Sequence, residues 1–422
     1  IALSQATRYT KRFGATFQAL RHRDYRIFWF SSMLGGMGQW AWTVGQAWLV
    51  FQLSDSSLAV GVVTFGTRVP MLVVPLLAGP LADWMDRRRF IMLTSLAGFV
   101  FGTIATLFVL QGNIQVWHLI IFAVLVGITS AAEMPARQAL LPNLVPREEL
   151  LNGVALSGVA RHGDRFLGPA VTALLLATVG PWSVFAAAGS FYLLAAILMT
   201  TVRTPSRGQV TSVFAVARNL QEGLHYTSSH PMVGLLLLLV AFHCSLTMAF
   251  EPLFPVFVRD TLQAGSGTYS SLVMAVGAGA LVGNLFLSGV GAGRRRGQWF
   301  LAAGVVSGLA PVALAFSPVT PAALVAGVAI GASQGMWMSL NSTLVQTVLP
   351  DGLRGRISSI WIMFGGGVMA WAGLLNGYLA DRWGAPPVLL VTGLIFVAVL
   401  VAVGMLRPGL RLAYRTGAIP AQ

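Results

Sequence analysis

"GPLADWMDRRRF", Gly79 to Phe90, ends one long apolar run and begins another. Residues 58–82 before it carry a single charge, Arg68, and residues 90–111 after it carry none. Each run is long enough for a helix to cross a bilayer core, which takes about 20 apolar residues over about 30 Å. The seven residues between, 83–89, read as a turn at a membrane face, with Arg87, Arg88 and Arg89 at headgroup level. Asp83 falls at the C-terminal end of the preceding helix, where the negative end of the dipole disfavours a carboxylate. It would gain from a cationic partner or from the start of a neighbouring helix.

Working outward, ten more runs of this kind appear, making twelve in the 422 residues: 26–51, 58–82, 90–111, 117–141, 150–178, 182–202, 231–258, 268–290, 297–316, 320–347, 354–379 and 385–406. The chain is 56% hydrophobic and 9% charged, with a mean hydropathy of +0.75. Soluble domains run nearer 25% charged. The length and all-round hydrophobicity of the runs exclude soluble amphipathic helices and barrel strands. The sequence predicts an all-α polytopic membrane protein.

The net charge of +14 raises the question of nucleic acid, and its placement answers it. With the N-terminus inside, 21 of the 27 basic residues fall in interior segments or at the inner ends of spans, two (Arg259 and Arg382) outside, and Arg68, Arg137, Arg161 and Arg165 deeper within spans. Basic residues gathered on one side set topology by the positive-inside rule. Both termini are therefore expected in the cytoplasm, and no nucleic-acid partner is expected. A lone cysteine, Cys244, allows no intramolecular disulfide. The six histidines lack ligand spacing, so no metal site is expected. Nothing near Ile1 reads as a cleavable signal peptide.

The one long interior connection, 203–230, separates six runs from six. Within it Val213, Phe214, Ala217, Leu220 and Leu224 recur at helical spacing opposite Arg218, Asn219, Gln221 and Glu222, the pattern of an amphipathic helix lying on the membrane. A shift of 204 residues superposes Gly127 on Gly331, Pro146 on Pro350 and Gly180 on Gly384, along with the span boundaries. The expected organisation is a six-helix bundle in 1–205, a linker in 206–230 and a second bundle in 231–422. Two parallel six-span halves suit a carrier with its site near the midplane between them.

Gly79, Leu81, Ala82, Asp83, Arg87 and Arg88 resemble the cytoplasmic loop signature of the major facilitator superfamily, with Trp84 at a usual basic position and Asp86 at a usual glycine. The resemblance continues through "RHRDYRIFW" (22–30), "PARQALLPNLVPREELLN" (135–152), Gly168-Pro169 and "LPDGLRGRISS" (349–359). It is greatest to the drug- and siderophore-exporter branch. It implies a cytoplasmic gate made by Gly79, Asp83, Asp86, Arg87 and Arg88, with Asp83, Arg87 and Arg88 latching the halves. It also implies a bacterial inner membrane location and a monomer that needs no cofactor beyond a proton gradient.

Ionisable residues at membrane depth cost at least about 2.5 kcal/mol on insertion scales unless they meet a cavity or a partner. Glu133 and Arg137 are four residues apart in the order that favours helical pairing. Arg161 and Arg165 share a helix face with Asp164 beside Arg161. His243 and Glu251 are eight apart on one face, ahead of Pro252 and Pro255, which should break the helix and free carbonyls toward a cavity. Arg68 precedes Pro70. The proton-coupling candidates are Glu133, Asp164 and Glu251. The substrate-cavity candidates are Gln39, Trp42, Arg68, Arg137, Arg161, Arg165, His243, Gln334, Trp337 and Asn341. The competing account makes these groups structural pairs and helix anchors.

These features predict a twelve-helix secondary transporter that exports a small organic compound by proton antiport through alternating access. Uptake by symport or uniport is the nearest alternative; a lipid flippase or a non-transporting membrane sensor is the alternative of another class. No nucleophile–base pair, metal cluster or phosphate loop suggests an enzyme.

Overall fold

The computed structural model describes residues 17–75, 85–206, 213–290, 296–350 and 353–406. The first six-helix half comprises α1 (Arg23–Ser54), α2 (Ser57–Arg68), α3 (Arg87–Leu110), α4 (Val116–Leu140), α5 (Leu150–Thr178) and α6 (Pro181–Thr200). The linker helix α7 (Val213–Ser229) follows. The second half comprises α8 (Pro231–His243), α9 (Ser266–Val290), α10 (Arg296–Ala315), α11 (Thr320–Val348), α12 (Arg354–Trp383) and α13 (Ala385–Leu406). A turn at Val69, ahead of Pro70, interrupts the second span, which continues as helix to Pro75.

Among the described residues ten helical segments are long and apolar enough to cross a membrane. The two long helices outside that set are α1 and α5, of 32 and 29 residues. Arg161, Asp164 and Arg165 interrupt the apolar character of α5 at its centre. Both pack among the spanning helices, α1 against α5 and α6, and α5 against α9. They complete twelve transmembrane helices in two bundles. The side of the molecule that carries α7 is the linker end; the opposite side, where α1 gives way to α2, is the far end.

The two halves meet through two helix pairs, α2 with α12 and α5 with α9. The 204-residue shift carries 150–178 onto 354–382, so these pairs are the same contact made twice. Glycine makes the approach close. A Cβ on Gly377 would lie 2.5 Å from the Ser57 carbonyl, and one on Gly277 would overlap the Arg165 carbonyl. Tight backbone approach is how helices associate in lipid, where burial alone offers little drive. The repeat also shows in the turns: Gly180 and Gly384, at φ of 111° and 78°, join α5 to α6 and α12 to α13. Only glycine takes such backbone without steric cost.

The contacts between halves gather toward the far end. Phe65 packs edge-on to Trp371 at 4.8 Å, and Trp48 stacks on Tyr269 at 5.5 Å. Arg259 pairs with Asp55 at the rim. In the linker-end parts of α5 and α9, Leu151, Val154 and Val159 of one and Val282, Leu285 and Phe286 of the other are exposed.

The break in the seventh span falls where the two prolines predict it. After α8 the chain makes a wide turn at Cys244–Met248 and leaves helical geometry at Ala249, before a single helical turn Leu253–Val256. Met248, Phe250 and Glu251 of the broken stretch line the central cavity, while two of its carbonyls are taken by side chains of the same half. Gln334 Nε2 donates to the Thr247 carbonyl at 2.6 Å, and Asn376 Nδ2 donates to that of Ala249 at 2.9 Å.

Candidate functional site

A cavity of about 300 Å³ lies between the halves at mid-depth. From the first half α1 supplies Gln39, Trp40, Thr43 and Gln46, the second span Thr64, Thr67, Arg68 and Met71, α4 Ser130 and α5 Arg165. Met248, Phe250, Glu251 and Met369 close it from the second half. Aromatic and thioether surface surrounds a few convergent charges, the usual constitution of a small-molecule pocket.

One ion pair spans this cavity. Arg68 Nη2 donates to Glu251 Oε1, joining the second span to the broken seventh span of the other half. Both side chains are mostly buried, at 22% and 14% exposure. Arg68 Nε and Glu251 Oε2 have no hydrogen-bond partner among the described residues. Arg165 reaches the same space, its guanidinium carbon 5.2 Å from the centre of the Trp40 ring, a cation–π arrangement. Two arginines and one carboxylate thus face a common space.

The remaining candidates are distributed differently. Gln39 lines the cavity as expected. Glu133 and Arg137 do pair, but inside the first half: Thr94 Oγ1 of α3 donates to Glu133 at 2.6 Å, and Arg137 donates to Ser32 Oγ of α1 at 2.8 Å. Asp164 is buried against Gly36 of α1, outside the cavity wall, and its Oδ1 has no partner among the described residues. Arg161 is exposed and, among the described residues, forms no ion pair with Asp164. Of the charges at 161–165 only Arg165 meets the cavity, because successive helical residues point about 100° apart.

Four expected cavity residues are core residues instead. Trp42 is fully buried, donates to Gln46 Oε1 at 2.6 Å and packs edge-on to Phe122 and Phe185. Trp337 is fully buried between His243 and Phe300, at ring distances of 4.2 and 5.2 Å. Gln334 caps the broken span, and Asn341 accepts from Trp361 Nε1 at 3.0 Å while donating to the Leu236 carbonyl. His243 also corrects an expectation. It bonds Ser307 Oγ at 2.8 Å within the second half, and the partner of Glu251 is Arg68. The wide turn at 244–248 and the loss of helical geometry at Ala249 break the register that would have put residues 243 and 251 on one face.

Sequence reasoning missed Trp40 and the methionines at 71, 248 and 369. Trp40 lies one helical turn before Thr43, and Thr43, Thr64 and Thr67 form a line of hydroxyls in apolar helices that could have marked the wet face. In the loop signature, Gly79 and Asp83 lie outside the described residues. Asp86 caps α3 by accepting from the Arg88 amide at 3.0 Å and binds the Arg88 guanidinium, which also donates to the Val202 and Arg203 carbonyls. Arg87 donates to the Ala139 carbonyl at 3.2 Å. These contacts tie α3 to the ends of α4 and α6 within the first half. Burial alone would raise the Asp86 pKa, yet the bonds from Arg88 and the charge of Arg89 outweigh it and hold the group below its ordinary value.

Among the described residues no cluster of metal-ligating side chains is present. Comparison with known proteins fits this geometry. The chain is 26% identical to the multidrug efflux pump Tap of Mycolicibacterium fortuitum, over 84% of this chain and 88% of that protein. It is 25% identical to the staphyloferrin A transporter of Staphylococcus aureus, over 85% and 90%. The crystal structure of the nucleoside transporter NupG shares the fold, with a TM-score of 0.73 at 12% identity over 91% of this chain and 99% of that one. The profile of the transmembrane secretion effector family matches residues 14–413. Twelve helices in two halves around a charged central cavity, together with that match, make this chain a member of the transmembrane secretion effector family within the major facilitator superfamily, a membrane transporter and not an enzyme.

Proposed function

We infer that the protein exports a small, amphipathic organic compound of drug or siderophore type across a bacterial inner membrane, in exchange for protons. The printed functions of the multidrug pump and the siderophore transporter support the compound class. The observation that carries the exchange is the Arg68–Glu251 pair across the cavity. The linker end is assigned to the cytoplasm on the charge asymmetry of the sequence. The halves 1–205 and 231–422 rock as bodies, with 206–230 as their tether, and the chain works as a monomer on the proton gradient alone.

In this reading a proton on Glu251 releases Arg68 and loosens the halves at mid-depth. Loss of the proton re-forms the pair and favours the far-end-closed state. The proton drives the cycle only to the extent that Glu251 binds it differently in the two states. Substrate enters from the linker end and rests on Trp40, Phe250 and the methionines, with Arg165 and Gln39 orienting its polar groups. Glu133 and Asp164 act as structural groups of the first half.

The test uses proteoliposomes of known orientation with a pH-sensitive dye in the lumen and a panel that includes a macrolide and a polycarboxylate siderophore. Export by antiport requires that moving a compound down its own gradient out of the cytoplasmic face drives protons the other way. Accumulation driven by an outside-acid gradient in right-side-out vesicles would establish uptake instead.

A further inference from the structure

Asp381, at the far end of α12, closes on the start of α2 in the other half. Its carboxylate accepts three hydrogen bonds: from the Ser57 amide at 2.5 Å, the Ser56 hydroxyl at 2.6 Å and the Leu58 amide at 3.0 Å. The first amides of a helix have no internal partner, and the dipole there favours an anion. Ser56, itself the N-cap of α2, accepts from the Ala59 amide at 3.1 Å, so its hydroxyl serves both halves at once. A Cβ on Gly377, one turn before Asp381, would touch the Ser57 carbonyl, so the glycine admits the helix start to within reach of the carboxylate. We propose that Asp381 is the positioning residue that holds the far face shut, a carboxylate latch on the N-terminus of α2 that must release before substrate can leave on that side.

The arrangement separates a latch from a mere surface contact in three ways. All three donors belong to one half and the acceptor to the other, so separating the halves at this point breaks every bond together. When α12 withdraws, the Ser57 and Leu58 amides lose their acceptor and water must replace it, which sets a barrier on opening. An ion pair, Arg259 with Asp55, also joins the halves at this rim and is shared with the neighbouring Asp260; its groups are exposed, as Asp381 is, but they meet side chain to side chain. Neither group in that pair grips backbone.

The experiment follows both ends of the full-length protein in nanodiscs by paired spin labels in a Cys244→Ala background. One pair, Gln111→Cys with Phe316→Cys, spans the far ends of the two halves; the other, Thr200→Cys with Gln346→Cys, spans the linker ends. Asp381→Ala should lengthen the far-end distance and shorten the linker-end distance, shifting the population ratio at least fivefold. Ser56→Ala, which removes one bond and spares the carboxylate, should shift it less in the same direction. Reaction of Thr43→Cys with an impermeant thiol reagent from the far side should rise by the same factor. Unchanged distances in Asp381→Ala overturn the latch, and so does a widening of both ends together, which marks a purely structural contact. Should Asp381→Ala fail to fold, Asp381→Asn, which keeps one acceptor oxygen, carries the same readout, and a distance distribution equal to wild type overturns the proposal. No step of this test uses a transported compound.

Discussion

Arg68 and Glu251, 183 positions apart in the chain and in different halves, form the ion pair that crosses the central cavity. Removing one partner strands the other charge in a space with few alternative ligands. Glu251→Gln should abolish pH-gradient-driven transport by about tenfold or more, the size of a typical coupling free energy between sites. Substrate counterflow without a gradient should fall by much less. Arg68→Gln should do the same, and the double variant should resemble either single one, because both remove one interaction. Gradient-driven transport at the wild-type rate in Glu251→Gln would remove Glu251 from the coupling path.

Glu133 and Arg137 are paired within one helix and fastened to α1 and α3. Glu133→Gln should cost about 3 kcal/mol, as expected when one member of a buried pair is removed, and lower the thermal midpoint in detergent. The pH profile of transport should keep its wild-type shape. A shifted profile with an unchanged melting temperature would give Glu133 the role assigned to Glu251.

Neighbouring tryptophans should behave oppositely. Trp40 faces the cavity over Arg165, while Trp42 is sealed among Phe122, Phe185 and Gln46. Trp40→Ala should raise the apparent KM with little loss of fold. Trp42→Ala and Trp337→Ala should each cost about 3–5 kcal/mol, the range for emptying a large core aromatic. Thermal melts alongside transport kinetics separate the two classes.

Glu222 of α7 binds Arg218 in its own helix and Arg356 of α12. The bond from Arg218, joined by the charge of Arg356, holds the Glu222 carboxyl below the ordinary carboxylate range. A carboxylate lowered by folding stabilises above its unfolded pKa of about 4.3 and loses that contribution as pH falls through the lower folded value. The docking of α7 should thus be constant from neutrality down to about pH 5 and weaken only in stronger acid. A spin label at His225→Cys should report constant mobility over that range, and Glu222→Gln should raise its mobility already at neutral pH.

The span boundaries were legible because lipid imposes length and hydropathy on each helix without reference to its neighbours. The first and last residues of α5 and α13 fall where the apolar runs do. Which polar residues meet in three dimensions was far less legible. Trp42 and Gln39 lie three residues apart on one apolar helix, and nothing local says which of them looks at a cavity and which at Phe185. The wide turn at 244–248 moved Glu251 off the face of His243, a register change with no sequence signature of its own. Asp381 went unremarked although Gly377–Asp381 repeats the Gly-x-Leu-Ala-Asp pattern of Gly79–Asp83. The amphipathic reading of 213–224 foresaw a helix there, but its grip on α12 through Glu222 and Gly223 needed the tertiary structure.

The broken seventh span is stitched to its own bundle by Gln334 and Asn376, whose side chains occupy the carbonyls that the kink exposes. A kink so stapled cannot flex as an independent hinge, and residue 251 is carried along as cargo of the whole second half. The separation between positions 68 and 251 is therefore a built-in ruler, and a probe pair set there would time each stroke of the carrier.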